Sequence, residues 1–351
     1  MSPPARIQKI QVPRAGSFGQ LKVVEADSPA VSPAHALVRS ASIGVNFADC
    51  VVRMGLYPSA TKYVGWPITP GFEFSGVIET LGEGDNPRGL QVGDEVFGVV
   101  RFGAYSSVIE VPLSQLYRVP ERLSLVQAGA ISVASLTAWY ALGELGQARP
   151  KMNILVHSAA GGVGSMMVQI GKLLGCRVVG VVSSSAKVSA VRELGADVVI
   201  DKSSESLFGR AQEECPDGYD LVLDANGAET LRGSYRALRS TGRLILYGAH
   251  SMLARGSGRT NWLRLAWQFL RTPSFDPLTL IDDNKSVMAF NLSYLFDEQE
   301  LLESAFTRIS TWYAEGALHP PQIKEYALAD VALAHEALQS GTTIGKLTLI
   351  P

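Results

Sequence analysis

The run Asn153-Ile154-Leu155-Val156-His157-Ser158-Ala159-Ala160-Gly161-Gly162-Val163-Gly164 constrains this chain more than any other feature, because it joins an apolar strand to a glycine turn that opens a helix. Beyond the turn, Val163, Met167, Ile170 and Leu174 recur at helical spacing and Gly175 closes the helix. Arg177 to Val182 then reads as a second, β-branched strand. Gly161 and Gly164 stand at the two later glycines of a G-x-G-x-x-G fingerprint, and Ala159 replaces the first. In such a turn the backbone approaches a pyrophosphate and the helix packs close on the strand. The pattern predicts a dinucleotide held along Ala160, Gly161, Gly162, Val163 and Gly164.

With 351 residues, the chain suits two domains rather than one. Its net charge of −2 comes from mixed acids and bases with no basic run, which argues against nucleic acid as a partner. Met1 to Arg14 is polar and proline-bearing, so no secretory signal is expected, and no apolar run reaches membrane-spanning length. Cys50, Cys176 and Cys215 lie far apart and make an odd count, as expected of reduced thiols in the cytoplasm.

The texture changes along the chain. From Gln8 to about Pro120, short strand-like runs are punctuated by Gly and Pro: Ala36 to Arg39, Glu73 to Glu79, Glu95 to Val100 and Tyr105 to Ile109. That pattern predicts a distorted β-barrel. From Val126 strands and helices alternate, with a helix over Ala186 to Leu194, strands at Val198 to Ile200 and Leu221 to Leu223, a helix over Glu229 to Leu238, and a strand from Arg243 to Tyr247. Alternation predicts a parallel sheet covered on both faces. Beyond Leu292 an amphipathic helix and a closing strand, Gly345 to Ile350, are expected to return to the first domain.

Several motifs in order resemble one family, the medium-chain dehydrogenase/reductases, in their zinc-free quinone oxidoreductase branch. They are Gly44-Val45-Asn46-Phe47-Ala48-Asp49 followed by Arg53, Gly55 and Tyr57; Pro70-Gly71-Phe72-Glu73-Phe74-Ser75-Gly76; Gly93-Asp94-Glu95-Val96-Phe97-Gly98; Leu136-Thr137-Ala138-Trp139; and Ala159 to Gly164. Phe290-Asn291-Leu292-Ser293-Tyr294-Leu295 and the final Gly345-Lys346 strand resemble the vesicle amine transport protein 1-like group within that branch. The resemblance implies an α/β chain in which a Rossmann doubly wound parallel sheet, residues 126–292, is inserted in a GroES-like β-barrel catalytic domain, residues 1–125 plus 293–351. It also implies a homodimer.

Zinc-dependent relatives place a Cys where Asn46 stands and a His where Phe72 stands, so the resemblance implies no catalytic zinc. Cys50 is alone in the first domain, which leaves no cluster for a structural zinc, and it reads as a small packed side chain. His157, inside a strand, reads as structural. Without a metal to polarise an alcohol, the expected chemistry is hydride delivery to an acceptor that is already electrophilic: a quinone, or an alkene conjugated to a carbonyl or thioester. The resemblance places Asn46 and Thr137 near the nicotinamide. Tyr57 is the candidate on the acceptor side, either as donor to a developing oxyanion or proton conductor, or as a plain aromatic wall, and Phe72 is taken as a further substrate-side residue.

NAD-specific folds usually carry an acid at the end of the second strand. Here the chain reads Val182-Ser183-Ser184-Ser185-Ala186-Lys187. Ser183 and Ser184 can donate hydrogen bonds and Lys187 adds charge, which favours NADPH over NADH. Lys202 either strengthens that preference or is a solvated lysine. Gly248, Ala249 and His250 match the family's nicotinamide-side loop, as do Phe290 and Leu292, and Lys346 is carried over as a further cofactor contact.

Residues Arg255 to Arg271 depart from the simplest quinone reductases. They read as a lid, a clamp for a coenzyme A phosphate, an amphipathic helix on a membrane surface, or a helix packed on its own domain with solvated arginines. The leading expectation is an NADPH-dependent reductase of a small quinone or activated alkene. Two alternatives stand beside it: a reductase specific for a short branched enoyl-CoA, and a non-catalytic NADPH-binding, membrane-associated protein. Retention of Asn46, Tyr57 and Thr137 beside the glycine turn favours catalysis.

Overall fold

β-Branched runs form strands because their side chains fit a pleated surface, while Gly and Pro interrupt the hydrogen-bond ladder. The computed structural model of this chain describes residues 6–252 and 261–351. Contacts divide it into two units, one of residues 6–133 and 293–351, the other of residues 134–252 and 261–292.

The first unit carries a seven-stranded sheet in the order Ile323–Ala327, Lys346–Ile350, His35–Val45, Glu73–Leu81, Glu95–Val99, Leu116–Arg118, with Val108–Pro112 also paired to His35–Val45. The long strand His35–Val45 bends through register shifts near Leu37 and Ser40, so that it pairs with several neighbours. Its last residues pair antiparallel with Lys346–Ile350, which returns the end of the chain to the barrel as expected. The hairpin of Arg6–Gln11 and Lys22–Asp27 was not legible in the sequence.

One strand expected over Tyr105 to Ile109 begins at Val108 instead. Tyr105 is fully buried, its N–H donates to the Pro70 carbonyl at 3.0 Å and its carbonyl accepts from Ile10 N–H at 2.8 Å, so this stretch makes an isolated bridge to Arg6–Gln11 before the strand begins. The Tyr105 hydroxyl lies 3.1 Å from His335 Nε2, and His335 Nδ1 lies 3.4 Å from Cys50 Sγ. Cys50 is thus a packed, buried thiol, pushed up to about 12 by burial.

The second unit is a six-stranded parallel sheet in the order Val198–Asp201, Arg177–Val182, Asn153–Val156, Tyr219–Asp224, Leu238–Leu246, Ser286–Ala289. The strand order reverses beside Asn153–Val156, the topological switch point at whose carboxyl edge doubly wound sheets bind ligands. Leu155, Val179, Val181, Ile200, Val222 and Leu244 form its apolar core. Burial of each such side chain contributes about 1.5–3 kcal/mol. The helix expected over Glu229 to Leu238 spans only Leu231–Arg236. The Ala237 carbonyl accepts from Tyr219 N–H at 2.9 Å, and Leu238 already belongs to the next strand.

His335 is fully buried, and desolvation with the nearby Arg53 pushes its pKa down to about 3. A folded-state pKa below the unfolded value means that the unfolded chain takes up the proton first as pH falls. Stability is therefore present above the unfolded value and is lost progressively toward pH 3. His335→Phe is expected to remove about 2 kcal/mol of the stability lost by the wild type between about pH 7 and pH 5, read by urea denaturation at both pH values.

Candidate functional site

In the Rossmann unit the strand Asn153–Val156 ends in a turn whose Ser158 takes a positive φ of 55°, and helix Gly162–Leu173 follows with Gly161 at its N-cap position. Each glycine has its own reason. A Cβ on Gly164 would press on the Ser158 carbonyl oxygen and lie 2.8 Å from Ala159 Cα, so close helix–strand packing requires glycine there. A Cβ on Gly161 would meet only the Ser158 carbonyl at 3.4 Å, leaving open space over the helix N-terminus where backbone N–H groups favour an anion. Ala159 is tolerated in place of the first glycine because Gly180 on the neighbouring strand leaves room: a Cβ there would stand 3.1 Å from Ala159 Cβ. Ala160 is buried, whereas Gly161, Gly162 and Val163 are partly open.

At the end of strand Arg177–Val182, Ser183 is exposed, Ser184 half-buried and Lys187 buried. Lys187 is thus not a solvated surface lysine. Lys202 is half-buried, and its N–H donates to the Val182 carbonyl at 3.1 Å. The sequence reading missed Asp201. Parallel register sets it beside Val182, and its carboxylate accepts from Ser185 Oγ at 2.7 Å and from Ser203 Oγ at 2.6 Å. Those hydrogen bonds, from Ser203 first, hold its carboxyl below the usual range. An acid therefore does enter this neighbourhood, from the third strand rather than the second, already bonded to serine hydroxyls.

The loop carrying Gly248, Ala249 and His250 hangs on a buried carboxylate. Asp224 accepts from Asn226 N–H at 2.8 Å, Gly227 N–H at 3.2 Å, Thr230 Oγ1 at 2.7 Å and Ser234 Oγ at 2.7 Å. The loop it shapes accepts in turn from the next: His250 N–H donates to Ala225 O at 3.0 Å and Ser251 N–H to Asn226 O at 2.8 Å. Desolvation pushes the His250 pKa down to about 4, so its imidazole is neutral near neutral pH. His157 is buried beside the same carboxylate, with Nε2 2.9 Å from Ser234 Oγ, and burial keeps it neutral too. Phe290 packs tilted against Tyr140 with ring centroids 4.8 Å apart, Leu292 is buried, and Thr137 is buried in helix Ser132–Trp139.

In the barrel unit, Asn46 precedes helix Phe47–Arg53, and its N–H donates to Asp49 Oδ2 at 2.8 Å. Its carboxamide meets Glu73 and Lys346, both buried. Lys346 is thus engaged within its own unit. Breaking such a pair by removing one partner costs about 3–5 kcal/mol, because it leaves a buried charge alone. The structure brings Tyr57 and Phe72 together, with centroids 5.6 Å apart, and Phe102 closes an aromatic trio at 6.4 Å from Tyr57 and 5.2 Å from Phe72. Phe102 follows a strand within a loop and carried no periodic signal. Among the described residues no three His, Cys, Asp or Glu side chains are grouped as metal ligands.

Residues 255–260 of the insertion lie outside the described residues. The remainder includes helix Trp262–Arg271, which buries Gln268 and exposes Trp262, Leu263, Trp267, Phe269 and Leu270. Of the four readings of this segment, the helix packed on its own domain is corrected here, since Trp262, Leu263, Trp267, Phe269 and Leu270 are turned to the surface. Arg271 stacks on Trp267 at 4.3 Å rather than standing free. No described helix is long and apolar enough to cross a membrane.

A doubly wound dinucleotide-type sheet and a GroES-type barrel in one chain define an oxidoreductase of the medium-chain class. The alcohol dehydrogenase GroES-like domain family matches residues 32–121, and the zinc-binding dehydrogenase family matches residues 162–304. The synaptic vesicle membrane protein VAT-1 homolog of Danio rerio is 34% identical over 95% of this chain and 68% of its own length. The 2-haloacrylate reductase of a Burkholderia species is 30% identical over 93% of both chains. The structure of Escherichia coli quinone oxidoreductase complexed with NADPH superposes with a TM-score of 0.85 at 27% identity, covering 98% of this chain and all of the other. The chain belongs to the medium-chain dehydrogenase/reductases, in the zinc-free branch that holds the quinone oxidoreductases and VAT-1 homologs.

The two turn glycines are expected to respond differently to the same methyl group. Gly164→Ala should cost about 1–3 kcal/mol and lower the melting temperature by several degrees, as overpacking does. Gly161→Ala should leave the melting temperature of the ligand-free protein unchanged, and differential scanning calorimetry separates the two.

Proposed function

We propose that the protein is a zinc-independent, NADPH-dependent reductase that delivers hydride to a quinone or to a carbon–carbon double bond conjugated to a carbonyl. The observation that carries this reading is the barrel-side chemistry: at the two ligand positions of zinc-dependent relatives stand a carboxamide engaged with Glu73 and Lys346, and an aromatic ring, Phe72, packed edge-on and tilted in a trio. Neither can serve as a Lewis-acid holder, so the acceptor must itself be electrophilic. The NADPH seen with the Escherichia coli relative and the alkene chemistry in the name of the Burkholderia relative support the same reading.

The Rossmann unit fits the dinucleotide. Open space at Gly161 over the N-terminus of helix Gly162–Leu173 suits a pyrophosphate, with Ala160, Gly162, Val163 and Gly164 shaping the turn. Ser183, Ser184, Lys187 and Lys202 are assigned to the 2′-phosphate end, and Thr137, Gly248, Ala249, His250, Phe290 and Leu292 to the nicotinamide end. NADPH, when bound, supplies the hydride. Asn46 and Tyr57 are assigned as donors to the oxygen that takes up charge, and Phe72 and Phe102 wall the acceptor and exclude water.

We also read the protein as a pair of copies in a reducing compartment. The outer edge of strand Ser286–Ala289 carries no further strand among the described residues, and Leu278 and Ile281 in the segment just before it are exposed. All three cysteines are buried and unbridged.

The decisive assay follows nucleotide oxidation with a naphthoquinone, a simple enone, 2-chloroacrylate and crotonyl-CoA. Turnover of the quinone, enone or haloacrylate supports the proposal; selective thioester turnover shifts it to an enoyl-CoA reductase. Inertness toward all acceptors, with flotation on liposomes, overturns it in favour of a non-catalytic membrane-associated protein. Lys187→Ala is expected to raise KM for NADPH by about tenfold or more, the worth of one charge-assisted hydrogen bond, with little change for NADH. Equal effects on both nucleotides would remove Lys187 from the phosphate.

A further inference from the structure

The Asn46 carboxamide is gripped at both ends. Its Nδ2 donates to Glu73 Oε1 at 2.8 Å, and its Oδ1 accepts from Lys346 Nζ at 2.5 Å. Lys346 Nζ also lies 2.6 Å from Glu73 Oε1, while Glu73 Oε2 accepts from Val133 N–H at 2.8 Å. Glu73 is wholly buried, and Lys346 and Asn46 are only 5% and 7% exposed.

Topology makes this meeting unavoidable. Antiparallel register sets Leu347 opposite Val45 and Phe74 opposite Ile43, so that Asn46, Glu73 and Lys346 stand at adjoining strand ends. Gly44 supplies the space. A Cβ there would lie 2.6 Å from both Glu73 Cγ and Cδ, so any side chain at Gly44 displaces the carboxylate.

We propose that Glu73 and Lys346 are positioning residues that lock the Asn46 carboxamide in one of its two flips. A carboxylate only accepts and an ammonium only donates. Turning the amide over would set its NH2 against Lys346 and its oxygen against Glu73, two repulsions in a desolvated place where such terms are strongest. The lock leaves one Nδ2–H with a fixed direction, a donor that needs no reorganisation when charge develops. This deepens the function proposed above and rests on its assignment of Asn46 to the reacting centre.

The test uses three changes: Asn46→Ala, Gly44→Ala, and the paired neutral variant Glu73→Gln with Lys346→Met. Gly44→Ala keeps every charge and displaces Glu73, whereas the paired variant removes both charges together, so that neither is left buried alone. Each is expected to lower kcat about tenfold or more, with the NADPH dissociation constant from fluorescence titration within about twofold of wild type. Adding the paired variant to Asn46→Ala is expected to cost nothing further. Losses that multiply would show that the pair acts other than through Asn46 and would overturn the lock. If Asn46→Ala alone leaves kcat unchanged, the assignment of Asn46 fails, and the two failures are thereby told apart.

A readout independent of turnover is the side-chain amide signal of Asn46 in asparagine-labelled protein, assigned by its loss in Asn46→Ala. Slow solvent exchange in the wild type that becomes fast in the paired variant supports the lock. Fast exchange already in the wild type overturns it.

Discussion

A buried carboxylate must find donors, and in the barrel unit the burial of Glu73 sets what its neighbours can be. The carboxylate takes a lysine from the last strand, a carboxamide from the head of the first helix and a backbone N–H from Val133. Segments almost the length of the chain apart are thereby fastened at one point. The closing strand Lys346–Ile350 is accordingly part of the barrel's ladder and part of its chemistry at once.

Among the described residues, the Rossmann unit solves the same problem with no lysine or arginine paired to the carboxylate. Asp224 is wholly buried and is satisfied by backbone N–H groups and two hydroxyls, which fixes the bend after strand Tyr219–Asp224. The next loop, with Gly248 to His250, bonds to that bend through Ala225 and Asn226. One acidic side chain thus orders two successive loops at the carboxyl edge of the sheet, where a doubly wound fold presents its ligand. His157, wholly buried, and His250 are both held neutral by desolvation, so neither adds charge beside Asp224.

The surface helix Trp262–Arg271 runs against the usual economy of a folded chain. Five of its large apolar residues, Trp262, Leu263, Trp267, Phe269 and Leu270, face outward while Gln268 faces in. Periodicity gave the helix and its amphipathic character, but not which side would be buried, because that depends on what the rest of the fold leaves for it to pack on.

The sequence by itself determined the strand, glycine turn and helix at Asn153 to Gly164 and the alternation that makes a parallel sheet, because these depend on local spacing and on motifs a few residues long. Sequence spacing could not place Asp201 beside Ser185, since that follows from the register of two parallel strands. Nor could it find Phe102, which lies on an aperiodic loop, or the hairpin at Arg6–Gln11 and Lys22–Asp27. Glu73 stood inside a quoted motif, yet nothing in its spacing connected it with Lys346 near the end of the chain. Only the tertiary structure decided that contact, because residues remote in sequence meet through strand register, and a missing Cβ at Gly44 decides whether a carboxylate can fit.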